Sequence, residues 1–146
     1  MKSKLLQIFI FLIIGIVPAH SQSHLESLER IKEHNSKLME SLSEGAYNDF
    51  AQGIKLVTNI AHNADFTKQV EVYWSGLSTK LGDLSDYEII SETTIGKRLF
   101  IANIFLYYDL FPVLLRLSYY KNKKGWVLIN LKSEENVENY LKEIKQ

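Results

Sequence analysis

The chain has 146 residues, with 17 Lys and Arg balanced by 17 Asp and Glu, and no cysteine. That length suits one domain with its own core, and 46% hydrophobic with 23% charged residues is a globular rather than a disordered composition. The missing cysteines exclude disulfides, thiol catalysis and cysteine-held metals, and a formal charge of zero lacks the basic footprint of non-specific nucleic-acid binding.

The first expected element is an export signal. Lys2 and Lys4 make a basic start, Leu5 to Val17 an apolar run, and Ala19 and Ser21 the small residues of a cleavage site between Ser21 and Gln22. The run falls short of the roughly 20 residues that span a bilayer. Residues 1–21 are thus expected to be a signal peptide. Residues 22–146 form a single exported domain, periplasmic or secreted, with no stable membrane span once the signal is cleaved. Cleavage removes two lysines and leaves 15 basic against 17 acidic residues, a net charge of about −2.

Helices come next. Leu25, Leu28, Ile31, Leu38, Met39 and Leu42 recur with helical period, interrupted by Asn35. Ser23 with Glu26 reads as a capping box, and Gly45 as the stop. A short helix from Tyr47 gives way to an irregular stretch near Val57. Asp65 then caps a second clear helix carrying Phe66, Val70, Tyr73, Trp74, Leu77 and Leu81, closed by Gly82.

From Tyr87 the period changes to two. Strands are expected at Tyr87–Ile95, Arg98–Tyr108, Val113–Lys121 and Trp126–Lys132, joined by short turns. A two-residue Gly96-Lys97 turn pairs Ile95 with Arg98, and hence Ser91 with Ala102. The next turn pairs Tyr108 with Val113, hence Ile104 with Leu117, and the last hairpin pairs Tyr119 with Val127. This register puts Tyr87, Ser91, Ala102, Tyr108, Tyr119 and Val127 on the face that helices cover. Glu88, Glu92, Phe105, Arg116, Tyr120, Trp126 and Leu128 fall on the other face. A C-terminal helix starting at Ser133 carries Val137, Tyr140, Leu141 and Ile144. The fold class is α+β: N-terminal helices on a curled four-stranded antiparallel meander, with a C-terminal helix.

The segments WSGLSTKLG (74–82), FLYYDLFPVLLRLSYY (105–120) and YYKNKKGWVLINL (119–131) carry a resemblance to the nuclear transport factor 2-like superfamily, the cystatin-like α+β roll. The resemblance is to its small exported bacterial members and covers Leu25 to Leu131. The chain departs from the usual layout by ending in a helix, and Leu56 to Asn59 is the one candidate for a first short strand. The resemblance implies a cone between helices and sheet. It also implies an acid/base pair among Asp, His and Tyr in the members that are enzymes. The register above puts no Asp, Glu or His on the inner face, and His24 and His34 lie outside the apolar stripe of their helix. No catalytic residue, metal ligand or cofactor is therefore assigned.

Two uses of the sheet stay open. Small side chains at Ser91 and Ala102 leave room for an amphipathic small ligand, with Trp74, Tyr87, Ser91, Tyr108 and Tyr119 as lining, unless helix side chains fill the space. The other face is too apolar for a solvated surface. It is either a homodimer interface using Phe105, Arg116, Tyr120 and Trp126, or a patch covered by the C-terminal helix. The expected function is a non-enzymatic binding or protein-interaction module, with a small-molecule isomerase, dehydratase or hydrolase built on a tyrosine-centred pocket as the alternative.

Overall fold

The computed structural model describes residues 24–58 and 65–144, so the expected signal peptide, its cleavage site and Ser23 lie outside the described residues. Three helices come first: α1 (Leu28–Ser43), α2 (Tyr47–Leu56) and α3 (Phe66–Leu81). The strands β1 (Leu84–Ile95), β2 (Leu99–Tyr108), β3 (Pro112–Asn122) and β4 (Gly125–Glu134) follow, and then α4 (Val137–Ile144). Strand order in the antiparallel sheet equals chain order. The α+β meander with flanking helices is the expected architecture.

Local chemistry sets the helix ends. The hydroxyl of Ser27, not a residue further upstream, caps α1 by accepting from Arg30 N at 3.2 Å. Leu25 is extended instead of helical, because it exchanges two backbone bonds with Trp126 of β4 at 3.0 and 2.8 Å. Gly125 permits that approach, since a Cβ there would come within 2.8 Å of the Leu25 carbonyl oxygen. Gly45 ends α1 at φ +69°, and the bonds Gly45 N to Leu42 O and Ala46 N to Ser41 O complete a Schellman motif. The expected C-terminal helix begins later than Ser133. β4 continues through Glu134, with Ser133 opposite Leu115.

The sheet departs from the expected register in three places, each with a local cause. At the first hairpin Ile95 pairs with Leu99, and Arg98 joins the loop, its carbonyl taken by Lys121 N at 2.9 Å. A bulge at Ile90 absorbs the extra residue, so Ile89 faces Ile104 as expected while Ser91 faces Asn103 and Glu92 faces Ala102. At the second hairpin Leu106 pairs with Val113 and Ile104 with Leu115, two residues from the expected register. Asp109 and Leu110 are drawn onto the end of α3, where Asp83 N donates to Asp109 Oδ2 at 2.9 Å and Leu110 N to Leu81 O at 3.0 Å. A shift of two leaves every side chain on its expected face. At the third hairpin Asn122 Oδ1 accepts from Lys124 N and Gly125 N, closing a tight turn that pairs Tyr120 with Val127. That shift of one turns Trp126 and Leu128 inward and Val127 outward, until a bulge at Ile129 restores Leu131 to the inner face.

One core fills the space between the helices and the inner face. Ile31, Leu38, Met39 and Leu42 of α1, Phe50 and Ile54 of α2, and Trp74, Leu77 and Leu81 of α3 meet Ile104, Leu106, Leu115, Leu117 and Tyr119 of the sheet. Phe50 stands edge-on to Trp74 at 5.5 Å between ring centres. Each such buried side chain contributes about 1.5–3 kcal/mol of transfer free energy.

Candidate functional site

α2, α3 and β4 enclose a cavity of about 590 Å³. Phe50 and Ile54 enter it from α2, Phe66, Val70, Tyr73 and Trp74 from α3, and Leu128, Leu131 and Ser133 from β4. The bulge at Ile129 is what brings both Leu128 and Leu131 to this face. A bond from Leu128 N to Val57 O at 2.8 Å holds the end of α2 on β4 and fixes the wall between them. The volume is in the range of small-molecule sites, and so is the lining: apolar with a few polar groups. Inside, the Tyr73 hydroxyl is hydrogen-bonded to Ser133 Oγ. Burial raises the Tyr73 pKa, so the phenol stays protonated at neutral pH. Asp65, Lys68 and Gln69 are exposed lining residues and mark the solvent side. Among the described residues, Asp65 is the one carboxylate that lines the cavity, and no described histidine does.

Of the residues expected to line a pocket, Trp74 borders this cavity. Tyr108 and Tyr119 are sealed in the main core, Tyr119 at 0% exposure, and burial raises the pKa of each. Tyr87 packs against the core from β1. The bulge at Ile90 puts Ser91 on the outer face, where its hydroxyl accepts from Asn103 Nδ2 at 2.8 Å. The same bulge turns Glu92 to the inner side, where it pairs with Lys32 of α1 at 2.8 Å. Sequence reasoning overlooked Tyr73 and Ser133 as a pair. Tyr73 was legible only as part of a helical stripe, and Ser133 as a helix start.

The outer face carries three of the four residues expected at an interface. Phe105, Arg116 and Tyr120 are half-buried there, whereas Trp126 is an inward-facing core residue, 4% exposed. α4 lies over part of this face. Tyr140, 8% exposed, stands edge-on to Phe105 at 6.1 Å, lies under the Arg116 guanidinium, and reaches Ser91 Oγ with its hydroxyl at 3.4 Å. Arg116 Nε donates to Asn103 Oδ1 at 2.8 Å, so Ser91, Asn103 and Arg116 form a polar row beneath the helix.

A second polar cluster joins α1, α2 and β3. His34, expected outside the apolar stripe, is half-buried. Its Nε2 lies 2.9 Å from Gly53 O and its Nδ1 3.3 Å from the Tyr119 hydroxyl. The Tyr119 hydroxyl donates to Oδ1 of Asn35, which is fully buried, while Asn35 Nδ2 has no partner. Burial is the main cause lowering the His34 pKa; the Gly53 carbonyl works against it and the nearby Lys37 charge works with it. The available signal was the polar Asn35 inside an apolar stripe, which requires a partner from another element. Among the described residues no group of three or more His, Asp or Glu is placed to hold a metal ion, and no helix is long and apolar enough to cross a membrane.

No protein-family model matches the sequence, and no curated protein is significantly similar to it. Solved structures do resemble the fold. A domain of unknown function with a cystatin-like fold from Nostoc punctiforme PCC 73102 is similar over 80% of this chain and 84% of its own, at 11% identity and a TM-score of 0.51. A putative NTF2-like transpeptidase from Campylobacter jejuni is similar over 70% of this chain and 97% of its own, at 14% identity and a TM-score of 0.47. An NTF-2-like protein of unknown function from Shewanella oneidensis MR-1 is similar over 70% and 94%, at 16% identity and a TM-score of 0.43. The architecture shared with the first of these is the cystatin-like α+β roll that the order of helices and strands led us to expect. At these identities the likeness concerns the fold alone.

Proposed function

We propose that this chain is a non-enzymatic binding module that holds a small amphipathic molecule between α2, α3 and β4. The observation that carries the reading is the cavity of about 590 Å³ with apolar walls and a single hydroxyl pair, Tyr73 and Ser133. Such a lining suits a ligand whose buried part is uncharged and ends in one hydroxyl or carbonyl, because a buried charge would find no charged partner among the described inner residues. Any charge on the ligand belongs at the solvent side, near Lys68 and Asp65.

Native mass spectrometry of the chain purified from its own host tests this. The expected result is a discrete adduct of a few hundred daltons, lost from a Leu131→Trp variant that fills the cavity and still folds. An adduct retained unchanged by that variant would place the ligand elsewhere. We also propose that the protein acts outside the cytoplasm, on the strength of Lys2, Lys4 and the apolar run Leu5–Val17. The exported fraction should then contain a chain whose N-terminus is Gln22, and recovery of the intact N-terminus in the cytoplasm would refute it.

A further inference from the structure

The contacts of His34 do not close for a neutral ring and a fixed Asn35, and the mismatch is informative. Gly53 O accepts only, so His34 Nε2 carries a proton. This carbonyl lies in the last turn of α2, where Val57 N donates to Ile54 O and leaves Gly53 O for the histidine. His34 thus caps the C-terminal end of α2, an end that favours positive charge. A neutral ring then has a bare Nδ1, and the group facing it is the Tyr119 hydroxyl. Tyr119 has one proton, and Asn35 Oδ1 takes it. In this arrangement Nδ1 must itself carry a proton to bond the phenol oxygen, and Asn35 Nδ2 is left buried and unpaired. Turning the Asn35 amide through a half-circle gives the other solution. Nδ2 then donates to the phenol oxygen, Tyr119 donates to His34 Nδ1, and the ring is neutral.

We propose that Asn35, Tyr119 and His34 form a reversible hydrogen-bond relay that accepts one proton at His34 Nδ1 by reversing its direction. In the neutral state the donors run from Asn35 through Tyr119 to His34. In the protonated state they run from His34 through Tyr119 to Asn35. The same three contacts persist in both, so α2 stays joined to α1 and β3 while the charge changes. The groups around the ring fit this. α2 presents the Gly53 carbonyl, β3 presents Tyr119, whose own ionisation burial pushes far above neutrality, and α1 contributes Lys37 one turn away. Glu92 of β1 is engaged by Lys32, two residues before His34 and about half a turn round α1 from it.

The test is a pH titration of the full chain by ¹⁵N nuclear magnetic resonance, following the His34 ring nitrogens and the Asn35 side-chain amide. At pH 8 the expected state is the Nε2–H tautomer with Nδ1 shifted as a hydrogen-bond acceptor. On acidification Nδ1 gains its proton, and the Asn35 amide signals move with the same midpoint while the Gly53 and Ile54 signals stay dispersed. An Nδ1–H tautomer at pH 8 would overturn the relay, as would Asn35 signals indifferent to the His34 transition. A variant guards against a misreading. Asn35→Leu removes the acceptor that the protonated state needs, so the proton affinity of His34 should fall about tenfold, the scale of one hydrogen bond in a charge-bearing chain. An unchanged His34 midpoint in a folded Asn35→Leu protein would refute the coupling.

Discussion

Replacing Gly82 by alanine tests the joint between α3 and the sheet. Gly82 has φ +87° and ψ −165°, a region that only glycine occupies without strain. A Cβ placed there would lie 2.4 Å from Asp109 Oδ2 and 2.6 Å from Asp109 Cβ. Two costs follow. The strained backbone accounts for about 1–3 kcal/mol. Displacing Asp109 sacrifices its bond from Asp83 N, worth about 1 kcal/mol. The reduced freedom of the unfolded chain returns about 0.4–1 kcal/mol. The net loss is about 2–3 kcal/mol, or about 10 °C in Tm for a chain of this length. Gly45→Ala is the control, because Gly45 also has positive φ (+69°) but an added Cβ there would meet nothing within 4 Å. It should lose about 1–2 kcal/mol, from backbone strain alone. Urea unfolding of both variants, with Asp109→Gly added to each so that the side chain is removed down to and including its Cβ, isolates the collision as a coupling energy. Equal losses at Gly45 and Gly82, with no coupling to Asp109, would refute the reasoning.

Three other outcomes are expected. Tyr73→Phe leaves Ser133 Oγ without its partner, costs about 1 kcal/mol in urea unfolding, and weakens a hydroxyl-bearing ligand about tenfold while sparing a pure hydrocarbon. Tyr140→Ala uncovers Phe105, costs about 2 kcal/mol, and raises the dimer fraction in native mass spectrometry; an unchanged dimer fraction would argue against pairing of copies through this face. Stability should also fall on acidification. The folded His34 pKa lies below the ordinary value of 6.5, so between the two the unfolded chain binds more protons. The stabilising contribution is complete above about pH 7 and is lost as pH drops through the folded value, and His34→Gln should flatten that slope.

The order of elements was legible because period and punctuation agree along the chain. Gly45 and Gly82 stop helices, and strands alternate from Tyr87 on. What stayed hidden was set by contacts distant in sequence. The capture of the Arg98 carbonyl by Lys121 made the first loop one residue longer, and the bulge at Ile90 that compensates moved Ser91 and Glu92 across the sheet. The Asn122 turn and the bulge at Ile129 did the same for Trp126 and Leu128. The cavity depends on that second bulge, so its lining could not be read from alternation. Likewise the partner of Asn35 comes from β3, 84 residues further along.

The two edges of the sheet have different fates. Along β4 the backbone is already engaged by Leu25 and Val57, whereas β1, among the described residues, has a neighbouring strand on one side only. The open edge of a strand of 12 residues is a template on which foreign chains can zip. β1 is interrupted near Ser85 and at Ile90, so its longest regular stretches are Asp86–Ile89 and Ser91–Ile95. A strand that began to pair along one stretch would arrive at the next with its side chains on the wrong side. The irregularity that carries Ser91 to the outer face therefore also acts as a brake on fibrous self-assembly.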